Sequence, residues 1–211
     1  MRVALLVFDQ VDVLDVGGPY EVFLTANRLT ERDGREAPFE LATVSDTDRP
    51  VRAYGGMMLG PSARLREAVG SEIVVVPGAV DIDAVSASPS VRAAVDALTS
   101  AACISSSVCT GAFLLADAGL LTGRPFTTHW EDLPALAQRL GQPDGARRFA
   151  WVDSGAVVTA GGLSSGISMA LHLVDRLLGR DTATAVARQI DYAWDPPAGS
   201  DEQTSDARSQ V

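Results

Sequence analysis

The stretch ISSSVCTGAFLLADAGLL, residues 104–121, contains the change of period that decides the fold. From Cys103 to Val108 the chain runs through small, β-branched and hydroxyl residues, as a short buried strand would. From Gly111 onward Phe113, Leu114, Leu115 and Ala118 recur at helical spacing. A strand therefore becomes a helix across a very tight turn at Cys109. A thiol placed there faces the first free amides of a helix, whose partial positive charge favours thiolate. The position also suits a buried, inert cysteine, since free cysteine is among the most buried residue types. The stretch alone leaves both readings open.

Working outward, strand and helix alternate almost throughout. RVALLVF (2–8) is a continuous apolar run of the kind that lies buried on both faces, and FELATVS (39–45) and EIVVVPG (72–78) read as further strands. PYEVFLTANRLTER predicts a helix over 19–32 with Pro19 at its first position, and SPSVRAAVDALTSA a helix over 88–101 capped by serine. FTTHW (126–130) reads as a brief strand, 131–140 as a helix, 148–160 as a hairpin and 165–179 as a long helix. Alternation of this kind implies a single α/β sandwich over 1–194, with a mostly parallel central sheet flanked by helices. Residues 195–211 carry almost no apolar side chain and read as an extended or disordered tail. In such sheets ligands bind beyond the carboxyl ends of the strands. Four strand exits could converge there: the segment carrying Asp15, the Gly78–Ala79 turn, the Cys109–Thr110 elbow, and His129.

Composition excludes several functions. A chain of 211 residues, 46% apolar, suits one well-packed domain. A net charge of -10 repels nucleic acid, and the densest basic spot is only GARRF (145–149). No apolar run reaches bilayer length, no leader-like segment opens the sequence, and two cysteines make no disulfide framework, so a cytoplasmic protein without membrane contact is expected. There is no lysine, which removes a Schiff base, a Ser-Lys dyad and a Walker lysine. His129, His172 and two cysteines cannot assemble a His/Cys metal cluster, and GGLSSG (161–166) lacks the full dinucleotide fingerprint. Neither a metal nor a cofactor is expected, although a carboxylate-rich metal site stays open.

The motifs LDVGGPYEVF (14–23), VVVPG (74–78), SSVCTGAFLLADAGLLTGRPFTTHW (106–130) and VVTAGGLSSGISMALHLV (157–174) resemble the ThiJ/PfpI superfamily, and within it the isonitrile hydratase branch. The resemblance runs from Arg2 to about Pro197 and implies a flavodoxin-like, class I glutamine amidotransferase-like fold. It also implies Cys109 as nucleophile on a strained elbow, Asp15 as acidic partner, backbone amides around Gly78, Ala79 and Thr110 for a developing anion, and a homodimer acting on a small molecule. His129 can serve the site or be structural, and Leu163 would line the pocket. Members resembling intracellular peptidases place histidine where Thr110 stands, and glyoxalase- or deglycase-like members use glutamate where this chain offers Asp15. Arabinose-type activators share GPYEVF, VCTG and TTHW but continue into a helix-turn-helix module, whereas this sequence ends soon after DYAWDPPAGSDEQ. The expected activity is hydration of an isonitrile to an N-substituted formamide through a cysteine thioimidate. A non-catalytic small-molecule sensor or stress-response module, or an α-oxoaldehyde hydratase or deglycase, are the alternatives.

Plainer roles stand beside these. Asp15 could brace the helix expected from Pro19, Thr110 could be only the first residue of its helix, and Glu21 could stabilise a first turn. His172 reads as a packed helix residue and Cys103 as inert core.

Overall fold

A computed structural model describes residues 1–195, so the tail expected over 195–211 lies, apart from Asp195, outside the described residues. Arg2–Val7 forms β1, buried without interruption from Val3 because helices cover both faces. α1 follows over Val13–Arg32, β2 over Glu40–Ser45, and a small hairpin pairs β3 (Val51–Arg52) with β4 (Met58–Leu59). Next come α2 (Leu65–Ala68), β5 (Ile73–Val76), α3 (Ile82–Ala87) and α4 (Pro89–Thr99). Ser88 caps α4 through its side chain, as expected. β6 (Ile104–Ser107) leads into α5 (Gly111–Asp117), then α6 (Leu133–Leu140), the hairpin β7 (Trp151–Asp153) and β8 (Val157–Ala160), α7 (Ser165–Leu178) and α8 (Arg180–Gln189).

The main sheet runs β2-β1-β5-β6-β8-β7, parallel throughout except for β7 against β8. From β1 the chain steps outward one way to β2, and from β5 the other way to β6. Right-handed crossovers then set α1 and α4 on opposite faces. The reversal opens a crevice between the carboxyl ends of β1 and β5, where an α/β sheet binds its ligands. The core fills both faces with Leu5, Leu6, Phe23, Leu115, Phe126 and Met169, all fully buried.

Two sequence expectations are corrected. α1 begins at Val13, so Pro19 lies inside the helix and Asp15 sits in its first turn instead of in a loop before it. Tertiary packing overrides the proline rule: Gly18 and Pro19 press against Gly166 and Ile167 of α7, so closely that a Cβ on Gly18 would lie 2.9 Å from Ile167 Cγ1. The segment 126–130 forms no strand and makes only an isolated bridge from Phe126 to Ala146. Its polar groups serve side-chain contacts: the Thr127 amide donates to Thr159 Oγ1 and the Thr128 hydroxyl to the Cys109 carbonyl. Helix α8 and the β3–β4 hairpin add to the elements expected from the sequence. No helix among the described residues is long and apolar enough to cross a membrane.

Candidate active site

Cys109 occupies the left-handed region, φ 54°, on the three-residue passage from β6 to α5. A non-glycine residue there is strained and persists only where its surroundings hold it. Three contacts do so. The Cys109 amide donates to the Gly161 carbonyl at 2.8 Å, its carbonyl accepts the Thr128 hydroxyl at 2.7 Å, and Gly111 closes the turn onto Val108. Gly111 has to be glycine, because a Cβ would run into the Val76 and Pro77 carbonyls.

Around this elbow the first strand's exit and the β5 turn interlock. The Gly78 amide donates to Asp15 Oδ2 at 2.9 Å. Thr110 Oγ1 accepts from the Ala79 amide at 2.9 Å and donates to the Ala79 carbonyl at 2.8 Å. A Cβ on Gly78 would fall 2.5 Å from Thr110 Oγ1 and 3.0 Å from Asp15 Oδ2, so the three residues leave room for nothing larger. The anion-binding amides expected at Gly78 and Ala79 are thus already engaged, one by a carboxylate and one by a hydroxyl. Thr110, the N-cap position of α5, contributes a hydroxyl as well as its amide.

The sulfur has its own donors. The backbone amides of Thr110 and Leu163 favour the Cys109 thiolate. Leu163 therefore enters the site through its backbone, which has φ 23°, while its side chain is exposed. Other forces oppose the thiolate that the helix terminus favours. Burial, followed by the negative charge of Asp15, pushes its pKa up to about 12, and the amides recover only part of that. Asp15 is completely buried, and loss of water raises its pKa to about 7 despite the Gly78 hydrogen bond, with Asp12 adding to the rise. Asp15 Oδ1 has no hydrogen-bond partner among the described residues.

Asp12 is the residue the sequence reading missed. One ligand atom each from Asp12, Asp15 and Cys109 lies within 4.8 Å of the others. Burial raises the Asp12 pKa and the charge of His129 opposes that rise, which sets His129 beside the cluster. His129 Nδ1 lies 3.4 Å from Asp132 Oδ2, and its ring packs on Gly162, where a Cβ would come within 2.7 Å of Cδ2. The available signal for Asp12 was its spacing, three residues before Asp15 at a helix start. Asp12, Asp15 and Cys109 are also the group among the described residues with donor atoms close enough for a metal ion, which would have to displace the thiol proton.

The remaining candidates lie elsewhere. His172 Nε2 pairs with Asp153 Oδ2 at 2.7 Å and its ring stacks on Trp151 at 3.7 Å, a packed helix residue as expected. Glu21 faces Arg28 on the outside of α1. Cys103 is exposed, not core, because β6 starts only at Ile104.

This arrangement agrees with a match of residues 1–176 to the model of the DJ-1/PfpI family. The chain belongs to the DJ-1/PfpI family. The isonitrile hydratase of Pseudomonas putida is 30% identical over 200 residues, covering 95% of this chain and 82% of that one. The HTH-type transcriptional regulator GbdR of Pseudomonas aeruginosa is 28% identical over 190 residues, 90% of this chain but 50% of the regulator. The crystal structure of a ThiJ/PfpI family protein from Pseudomonas syringae superposes with a TM-score of 0.79 at 25% identity, covering 93% of this chain and 76% of that one. The mostly parallel sheet with helices on both faces is the fold of this family.

Proposed function

We propose that the chain is an isonitrile hydratase, a cofactor-independent hydro-lyase that converts a small isonitrile into an N-substituted formamide. The observation that carries this reading is the buried approach of Asp15 to Cys109, with the carboxyl at about 7 beside a thiol at about 12. An isonitrile carbon is divalent and accepts a nucleophile and a proton at the same atom. Asp15 as carboxylate takes the Cys109 proton, sulfur bonds to the carbon, and Asp15 returns the proton to that carbon. The product is a thioimidate on Cys109. Asp15 then acts as base on a water that attacks the same carbon, and collapse of the adduct releases the formamide and restores the thiol. The Thr110 and Leu163 amides steady the sulfur charge as it forms and as it leaves.

Kinship with the Pseudomonas putida isonitrile hydratase over nearly the whole chain supports the reading. We take the working form to be a cytoplasmic homodimer, which light scattering in solution tests directly. A second reading, a small-molecule sensor without turnover, draws on the match to GbdR over 90% of this chain. Incubation with a small alkyl isonitrile, with methylglyoxal as the competing substrate, separates them. Formamide release supports the hydratase; consumption of methylglyoxal alone points to an α-oxoaldehyde enzyme. Binding without turnover, unchanged in Cys109→Ala, establishes the sensor.

A further inference from the structure

Asp12 stands at the N-cap position of α1, where an aspartate ordinarily turns its side chain back to a free helix amide, and here it makes no such bond. Its amide donates to the Gly78 carbonyl at 3.0 Å, which fixes the residue on the β5 turn, and its half-buried carboxylate is left beside Asp15 and Cys109. A fully buried, unpartnered oxygen of Asp15 belongs to the same cluster. Two carboxylates this close disfavour double ionisation, so the pair keeps one proton to higher pH than either group would alone. The groups facing Asp12 are Asp15 from its own helix, Cys109 from the elbow, and His129 from the 126–130 segment, with Asp132 and Glu131 behind the histidine.

We propose that Asp12 is the second acid–base group of the site, sharing one proton with Asp15 and delivering it to the substrate nitrogen. This rests on the hydratase reading for the substrate but not for the shared proton. One acid–base group must otherwise serve carbon, water, nitrogen and sulfur in turn. With two, the cycle closes. Asp15 moves the thiol proton to the isonitrile carbon, as before. In hydration the water oxygen bonds to carbon, its proton goes to Asp15, the C=N π pair moves to nitrogen, and nitrogen takes the proton held by Asp12. In collapse the hydroxyl proton returns to Asp12, the C=O forms, the C–S bond breaks, and sulfur takes the proton from Asp15. Each group ends as it began, and no oxidant or ion is consumed.

The experiment compares the wild-type chain with Asp12→Asn and with Asp12→Ser, which supplies a helix cap but no acid. After mixing with a small alkyl isonitrile, intact-mass measurement should show the Cys109 thioimidate accumulating in both variants, with formamide release slowed about a hundred- to ten-thousand-fold. Wild-type release rates in both variants would overturn the nitrogen role. Without substrate, the rate of Cys109 alkylation against pH should show an inflection near 7 in the wild type, from Asp15. That inflection should move down by roughly one pH unit in each variant, the scale of two charges about 5 Å apart in a partly wet site. An inflection that stays in place means no proton is shared, and overturns the pairing whatever the substrate. A wild type that hydrates no isonitrile while its inflection moves in the variants removes the hydratase reading and the nitrogen role, and upholds the shared proton.

Discussion

The Gly78 amide holds one oxygen of Asp15 at 2.9 Å, while the other oxygen, equally buried, has no hydrogen-bond partner among the described residues. The carboxyl is thereby anchored on one side and kept reactive on the other. The anchor alone would favour the charged form, yet desolvation outweighs it and brings the group to about 7. A group poised at that value can take a proton and return it near neutral pH.

Replacing Asp15 with asparagine separates catalysis from stability. Turnover should fall about a hundred- to ten-thousand-fold, since the amide cannot shuttle a proton. Stability should move the other way. The folded-state pKa of about 7 lies above the ordinary 3.8, so wild-type stability declines as pH rises between those values and stays lower above them. Removing the charge recovers up to about 4 kcal/mol at high pH, partly offset by an unpaired buried amide. Melting curves should show the variant ahead at pH 8 and level or behind at pH 4; an advantage at pH 4 that disappears at pH 8 would reverse the sign of the argument.

The two cysteines should label in an order opposite to that expected of a helix-terminal thiolate. Cys103 is exposed, whereas Cys109 is buried and pushed up to about 12. Iodoacetamide at pH 7 should reach Cys103 first, and Cys109 labelling should accelerate as the pH approaches 10. Cys109→Ala should keep its fold and lose isonitrile turnover entirely. Faster Cys109 labelling at pH 7 would show that the two amides outweigh burial.

Thr110 offers a conservative test of the wall between strand exits. Thr110→Ser keeps the hydroxyl that bridges the Ala79 amide and carbonyl, and should be nearly neutral. Thr110→Val leaves both backbone groups buried without that partner and should cost about 2–4 kcal/mol in urea unfolding, with slower turnover as Gly78 and Asp15 drift. Equal stability of the two variants would remove the bridge from the account.

Gly162→Ala probes His129 without altering any titrating group. The added Cβ meets His129 Cδ2 at 2.7 Å and must push the ring away from the cluster. Since the charge of His129 lowers the Asp12 pKa, displacing it should raise that pKa and move upward the alkaline limb of the pH–rate profile, where Asp12 loses the proton it delivers. An unchanged profile with a displaced ring would make His129 purely structural.

The local sequence determined much of this. Continuous apolar runs marked β1 and β5 as strands buried on both faces, and the switch of period at Cys109 marked the elbow, because backbone periodicity is written in neighbouring residues. The motifs around Asp15, Gly78 and Cys109 marked where strand exits could meet. Tertiary structure decided the rest. Pro19 stays inside α1 because packing on α7 outweighs a local rule, and 126–130 gives up its strand because Thr127 and Thr128 bond to β8 and the elbow. The thiol's high pKa comes from burial and carboxylates that arrive from a helix nearly a hundred residues away, against a local helix terminus that argued the other way. Asp12 carried no signal beyond its spacing from Asp15, and only the fold turned its carboxylate from the helix amides to the sulfur, because desolvation and through-space charge depend on distances that no stretch of sequence records.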